Sequence, residues 1–304
     1  MTPTTLIIFG ATGDLAERKL IPALFDLYLK EFLPKSFSVI GVSRKPKSDN
    51  EFRDFAIDAI RKKKNRYSKK ALDGFLKTLS YQQGDILAAE FYKGLAKVLI
   101  DKDNAFGQCS NKLFYLAVPP NLYDPIFQNL ASSGLSVACS GDAGRHSGEP
   151  RELAGWTRVL VEKPFGNDLQ TSQMLDRKLG LLFGEDQIFR IDHYLAKETL
   201  QNILAFRFSN ALFEPIWNRN FVNKIEIKLL EESGIAGRGA FYDGVGALRD
   251  VGQNHILQML AFVAMEDPKE LNATVIRKNR AQVLSKLRPI DSANIKRLVS
   301  RGQY

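Results

Sequence analysis

Only two cysteines, Cys109 and Cys139, occur in the 304 residues. Two cannot build a disulfide framework, and they lack metal-ligand spacing, so the expected setting is a reducing cytoplasm and no metal is expected. No apolar run reaches the length of a membrane span, and the N-terminus enters Leu6-Ile7-Ile8-Phe9 without a basic leader or cleavage site. Neither a membrane segment nor a signal peptide is expected. Histidine is scarce as well, at His146, His193 and His255. The formal net charge of +9 raises the question of nucleic acid, but the excess is local. Residues 61–70 carry seven bases and no acid, residues 272–304 carry eight bases and one acid, and the remainder is mildly acidic. One aromatic, Tyr67, interrupts the first run, so the interleaving of bases and aromatics that single-strand binders use is missing. No nucleic-acid partner is expected.

What is present reads as two domains, since the chain is long for one core. Thr5–Phe9 is a β-rich apolar run that ends at Gly10-Ala11-Thr12-Gly13-Asp14-Leu15-Ala16, and a helical pattern follows with Leu20, Leu24, Leu27 and Tyr28 on one face. A strand, a glycine turn and a helix in that order are what a dinucleotide site requires. Gly10 permits the tight turn, Gly13 lets the backbone approach a pyrophosphate, and Ala16 allows close helix–strand packing. A second strand, Phe37–Val42, ends in Ser43-Arg44-Lys45. No acid stands there to accept from ribose hydroxyls, and Arg44 and Lys45 would attract a 2′-phosphate, which favours NADP over NAD.

Residues 51–100 read as helical. Lys112–Val118 is a buried strand stopped by Pro119-Pro120. Residues 132–155, with His146, read as a surface loop. Arg158–Val161 is a further strand, and it delivers Lys163 to a strand end before Pro164, where its charge can reach a crevice. Helix 168–183 and Ile188-Phe189-Arg190 follow. Arg190–Glu198 (R-I-D-H-Y-L-A-K-E) packs two acids, two bases, a histidine and a tyrosine into nine residues ahead of an apolar-periodic run. It reads as a helix start, with Asp192 as a cap in the simplest reading, and as a place to hold an anion such as a sugar phosphate. Beyond it, Val222–Leu230 alternates apolar and charged residues as a half-exposed antiparallel strand does. Ala247–Met265 reads as a helix, in which Asp250 and His255 are separated by about 140° and flank one cleft without touching.

Together G-A-T-G-D-L-A at 10–16, V-E-K-P-F-G at 161–166, R-I-D-H-Y-L-A-K-E at 190–198, P-I-W-N-R at 215–219, and G-R-G-A-F-Y-D with R-D-V-G-Q-N-H between 237 and 255 resemble the NADP-dependent glucose-6-phosphate dehydrogenase family. The resemblance implies a Rossmann-type, doubly wound parallel sheet over residues 1–188. It implies part of an α+β substrate and oligomerisation domain, with an antiparallel sheet, over 189–304. It implies oxidation of glucose 6-phosphate to 6-phosphogluconolactone with hydride transfer to NADP, the first step of the oxidative pentose phosphate pathway. By resemblance His255 is the general base and Asp192 its carboxylate partner. His193, Tyr194 and Lys197 hold the substrate phosphate, Glu231 and Asp250 accept from sugar hydroxyls, and Lys163 touches both substrate and cofactor. Gly10, Ala11, Thr12, Gly13, Asp14 and Leu15 form the cofactor turn, Arg44 meets the 2′-phosphate and Tyr123 lines the cofactor site. The family forms homo-oligomers and continues well beyond Tyr304, so a C-terminally truncated chain lacking most of the usual dimer surface is expected. A non-catalytic NADP-binding protein is the alternative.

Overall fold

A computed structural model describes residues 2–64, 66–139, 155–163, 165–166, 168–230, 234 and 239–302. Residues 1–191 and 192–304 form two compact units.

In the first unit, β1 (Thr4–Phe9) is buried at all six positions, as a central parallel strand covered on both faces must be. It pairs with β2 (Phe37–Ser43) on one side and β4 (Asn111–Leu116) on the other. With β3 (Leu79–Gln83), β5 (Thr157–Val161) and β6 (Ile188–Arg190) these form one six-stranded sheet of order β3-β2-β1-β4-β5-β6. Every pairing is parallel. Strand order reverses between β1 and β4, and in a doubly wound sheet ligands bind at that reversal, outside the carboxyl ends of the strands. The two-residue period of a strand divides the core. Ile7 and Phe9 join Phe114, Val159 and Val161 on one face of the sheet. Leu6 and Ile8 join Phe25, Phe52 and Phe75 on the other.

The helices on these faces are α1 (Ile21–Leu29), α2 (Asp49–Arg61), α3 (Lys69–Leu76), α4 (Ala89–Phe106), α5 (Tyr123–Ser132) and α6 (Leu169–Leu182). Ser48 and Glu51 close a reciprocal capping box on α2, and Ser68 caps α3. The basic run 61–70 therefore ends one helix and starts the next, with Lys62 paired to Glu17 and Tyr67 edge-on to Phe25 at 5.3 Å. Residues 51–100 are not helical throughout, because β3 lies among them. Its sequence L-S-Y-Q-Q buries only Leu79, as an edge strand with one covered face can. Cys109 and Cys139 are disulfide-bonded, a pairing that the expected reducing setting does not anticipate. Most of the expected loop, 140–154 with His146, lies outside the described residues.

The second unit contains α7 (Glu198–Phe208), α8 (Gly239–Ala247), α9 (Leu257–Ala264), α10 (Ala273–Ser285) and α11 (Ile295–Leu298). A π-helical stretch, Leu248–Ile256, joins α8 to α9, and Gly246 at φ 71° kinks the chain ahead of it. The single helix expected over 247–265 is thus a π segment followed by an α segment. The expected antiparallel sheet is absent among the described residues: 222–230 pair with no strand. Alternation of apolar residues specifies a strand only where a neighbour supplies hydrogen bonds and a surface to cover, and Leu230 stays 89% exposed.

What anchors this unit is Arg207. Its side chain is buried, and its Nη1 donates to the carbonyl oxygens of Phe262, Val263 and Met265 at 3.1, 2.9 and 2.8 Å. These are carbonyls at the end of α9, which a helix leaves unpaired. Trp217, from the P-I-W-N-R motif, donates its Nε1 to Val263 O at 2.7 Å. Burial lowers the guanidinium pKa from its ordinary value, and the charge of Glu214 opposes that shift. Replacing Arg207 with Met keeps the aliphatic stem but strands the buried carbonyls of Phe262 and Met265, while Val263 O keeps its bond from Trp217. A loss of about 3 kcal/mol in unfolding free energy of this unit is expected, read by chemical denaturation.

Candidate functional site

The first unit supplies a turn suited to a dinucleotide. Gly10 and Ala11 donate to Val42 O at 2.9 and 3.1 Å, so the chain leaving β1 is pinned to the end of β2. Gly10 has φ +82°, and a Cβ there would lie 2.3 Å from Ala117 O, beyond the end of β4. No residue but glycine fits this position. Gly13 folds its N–H back onto Gly10 O at 2.9 Å and is itself exposed. Ala11 and Ala16 are fully buried, while Asp14 is exposed and pairs with Arg18 at 2.6 Å. Leu15 precedes a π-helical turn, Ala16–Leu20, that runs directly into α1. Glu17 N donates to Gly13 O at 3.0 Å, so the turn closes onto the first residues of this helical stretch; a helix start of this kind suits a phosphate.

Thr12 Oγ1 lies 2.9 Å from Ser43 Oγ, which ties the turn to the end of β2. Ser43 was not foreseen in this role; its place beside the basic pair was the available signal. Arg44 follows and is exposed. Its carbonyl accepts from Gln83 Nε2, while Tyr81 OH donates to Lys45 O at 2.5 Å. The backbone is thus held and the Arg44 side chain extends into solvent beside the turn. An exposed guanidinium with no acid at this strand end fits a 2′-phosphorylated ribose.

At the carboxyl end of β5, Glu162 accepts from Tyr115 OH on β4, and its carbonyl accepts from Tyr123 OH at 3.1 Å. Burial, then the Glu162 contact, pushes the Tyr115 hydroxyl far up, and burial pushes Tyr123 up to about 12. Both are neutral donors at ordinary pH. Lys163 comes next and is half-buried at the strand end. Tyr123, expected to line the cofactor site, is fully buried at the start of α5 and braces the segment that carries Lys163.

The second unit brings together its own set. His255 is 2% exposed, and its Nδ1 lies 2.9 Å from Asp192 Oδ1. Tyr194 stacks on the imidazole, with centroids 3.7 Å apart and planes 17° from parallel. His193 packs edge-on to the same ring at 4.8 Å, and Lys197 Nζ sits 3.6 Å over the Tyr194 ring. The segment is not the start of a helix. Asp192 Oδ1 accepts from Tyr194 N at 3.0 Å, the Asx turn that a short acid favours, and α7 begins only at Glu198 with Lys197 at its cap. Arg190, at the head of the same motif, belongs to the first unit and is spent on Asp176 and Glu185.

The π stretch corrects the expected 140° separation. Its hydrogen bonds join residues five apart, so Asp250 and His255 lie on successive turns and are closer in angle than an α-helix would set them. Asn254 Nδ2 donates to Arg249 O at 3.1 Å, spanning the same interval. Glu231 lies outside the described residues. Sequence reasoning missed Arg280 and Gln258: Arg280 Nη2 donates to Gln258 Oε1, and its guanidinium covers the Phe262 ring at 4.8 Å. The available signal was helical phase, because Arg280 shares a face of α10 with Ile276, Val283 and Leu284.

Chemically, a carboxylate 2.9 Å from Nδ1 favours the tautomer protonated there, in which Nε2 is the basic nitrogen. A buried base held by a third group is the arrangement that removes a hydroxyl proton. The exposed His193 and Lys197 beside it offer donors for an anionic substituent.

Comparison with known proteins places these features in a family. The family described as "Glucose-6-phosphate dehydrogenase, NAD binding domain" matches residues 7–202, and its C-terminal domain matches residues 204–304. The glucose-6-phosphate 1-dehydrogenase of Aggregatibacter actinomycetemcomitans is 42% identical over 299 residues, covering 98% of this chain and 58% of that protein. Glucose-6-phosphate 1-dehydrogenase 5, cytoplasmic, of Arabidopsis thaliana is 40% identical, covering 99% of this chain and 56% of that one. A solved glucose-6-phosphate dehydrogenase in complex with its substrate glucose-6-phosphate superposes with a TM-score of 0.81 at 33% identity, covering 96% of this chain and 57% of its own. The chain therefore spans a little over half the length of the relatives it matches. No described helix is long and apolar enough to cross a membrane.

Proposed function

Because the chain belongs to the glucose-6-phosphate dehydrogenase family, we propose that it carries the machinery that oxidises glucose 6-phosphate to 6-phosphogluconolactone, the opening step of the oxidative pentose phosphate pathway. The supporting observation is the 2.9 Å pair of His255 Nδ1 and Asp192 Oδ1, flanked by His193 and Tyr194. His255 Nε2 takes the proton of the anomeric hydroxyl. Asp192 orients the ring and balances the charge that it gains. His193, Tyr194 and Lys197 hold the phosphate, and Asp250 and Glu231 accept from ring hydroxyls. Residues 1–188 form the dinucleotide domain and residues 189–304 contribute to the substrate and oligomerisation domain.

NADP, when bound, supplies the hydride acceptor. Gly10, Ala11, Thr12, Gly13, Asp14 and Leu15 would hold its pyrophosphate, Arg44 its 2′-phosphate, and Lys163 would contact it at the strand end. Tyr123 supports that strand end through Glu162. The cytoplasm is the proposed location. The proposed partner is the small-molecule substrate; the family forms homo-oligomers, but this chain is expected to lack most of the usual dimer surface.

The reading is tested by following reduced-nicotinamide absorbance with glucose 6-phosphate and NADP. Turnover that requires both supports it. NADP binding without turnover supports instead the non-catalytic alternative. A sharper test addresses the nucleotide. Arg44→Ala is expected to weaken NADP binding by roughly 10–100-fold, the worth of a charge-assisted contact, and to leave NAD binding nearly unchanged. Equal losses for the two nucleotides by titration calorimetry would remove Arg44 from the 2′-phosphate role.

A further inference from the structure

Asp192 presents one oxygen to His255 and Tyr194, and its other oxygen, Oδ2, is buried and accepts no hydrogen bond among the described residues. A buried carboxylate oxygen left this way is costly unless a positive charge faces it. The Arg280 guanidinium, half-buried, stands on α10 against α9. It holds Gln258, which lies three residues past His255, and covers Phe262. Its Nε is likewise buried with no acceptor among the described residues. An acceptor without a donor on Asp192 and a donor without an acceptor on Arg280 thus stand at the two ends of a chain that runs through His255 and Gln258. Burial lowers the pKa of Arg280, and the charge of Asp192 is the attraction that opposes this.

We propose that Arg280 is a positioning residue for the base. It faces the Oδ2 side of Asp192, keeps Oδ1 turned to the imidazole, and offsets part of the carboxylate charge so that His255 remains neutral and ready to accept a proton. This deepens the proposed acid–base pairing and rests on it. A bare carboxylate beside a buried imidazole favours the imidazolium, which cannot act as a base, so a cation behind the carboxylate keeps the ring in its working form. The other groups around the ring are distributed on several elements. His193, Tyr194 and Lys197 lie on the segment before α7, and Asp250 lies one π turn back. Arg207 is on α7 at the far end of α9, Asp243 and Arg249 are near the α8 junction, and Arg277 neighbours Arg280 on α10.

The experiment reads the His255 imidazole directly, by NMR titration of the 304-residue chain without substrate. The chain has three histidines, and the His255 signal is the one missing from H255N. Arg280→Met, which keeps the stem over Phe262, is expected to raise the His255 midpoint by about one pH unit, and R280K to leave it near that of the parent. In an Asp192→Asn background the same R280M change is expected to move the midpoint by less than half as much. An unmoved midpoint in R280M, or an undiminished shift in the D192N background, overturns the proposal. Should R280M not fold, R280Q keeps a donor for Gln258 and gives the same reading. None of these outcomes depends on turnover, so an inactive chain with a shifted midpoint would count against the proposed function alone.

Discussion

Gly10→Ala is expected to weaken NADP binding at least 100-fold and to destabilise the first unit by several kcal/mol. Two separate costs add at one atom. At φ +82° a side chain is strained by about 1–2 kcal/mol wherever it has room. Here it has none, since the new carbon would sit 2.3 Å from the Ala117 carbonyl oxygen, and that oxygen is backbone that cannot rotate aside. The ends of β1 and β4 would have to part. The turn proposed to hold the pyrophosphate is hung from the same point by the Gly10 and Ala11 bonds to Val42, so it would shift with them. A loss of 100-fold corresponds to about 2.7 kcal/mol, less than the combined distortion. Fluorescence titration with NADP and thermal unfolding together check this. A G10A protein of parental melting temperature and affinity would mean that the close approach to Ala117 is not what this position serves.

The second large effect falls on His255. His255→Asn keeps a polar side chain of similar reach beside Asp192 but removes the basic nitrogen. The rate of NADP reduction with glucose 6-phosphate is expected to fall by roughly a hundred- to ten-thousandfold in kcat, the usual contribution of a positioned base. NADP affinity should be unchanged, because the cofactor turn lies in the other unit, and KM for the sugar phosphate should change little. A kcat within a fewfold of the parent would remove His255 from proton transfer. Loss expressed only in KM would make it a binding residue.

Much of this was legible in the sequence because the signals are short-range. β1, its glycine turn and the following helix occupy consecutive residues, and a fully apolar strand ending in glycine has few other meanings. Asp192, His193 and Tyr194 are likewise adjacent, so any fold brings them near one another. β3 was hidden because an edge strand with one covered face needs only one buried residue, and Leu79 among polar neighbours continues a helical pattern equally well. Residues 222–230 mislead in the opposite sense: alternation records which face a strand would bury, not whether a partner is there. The disulfide escaped because its cysteines are 30 residues apart, and spacing alone says nothing of proximity. Arg280 escaped because it sits in a basic tail that composition treats as solvated charge.

The stretch Leu248–Ile256 also has a consequence for how such chains can vary in length. A helical stretch that closes its hydrogen bonds over five residues holds one residue more per loop than its neighbours. It can shed that residue and remain a helix, because the hydrogen-bond ladder closes again one residue shorter. Yet each residue removed turns everything downstream by about 100°. His255 would keep its helix and its identity, and would face away from Asp192. The segment is therefore intolerant of any change in its count, which would also carry the carbonyls at the end of α9 away from Arg207.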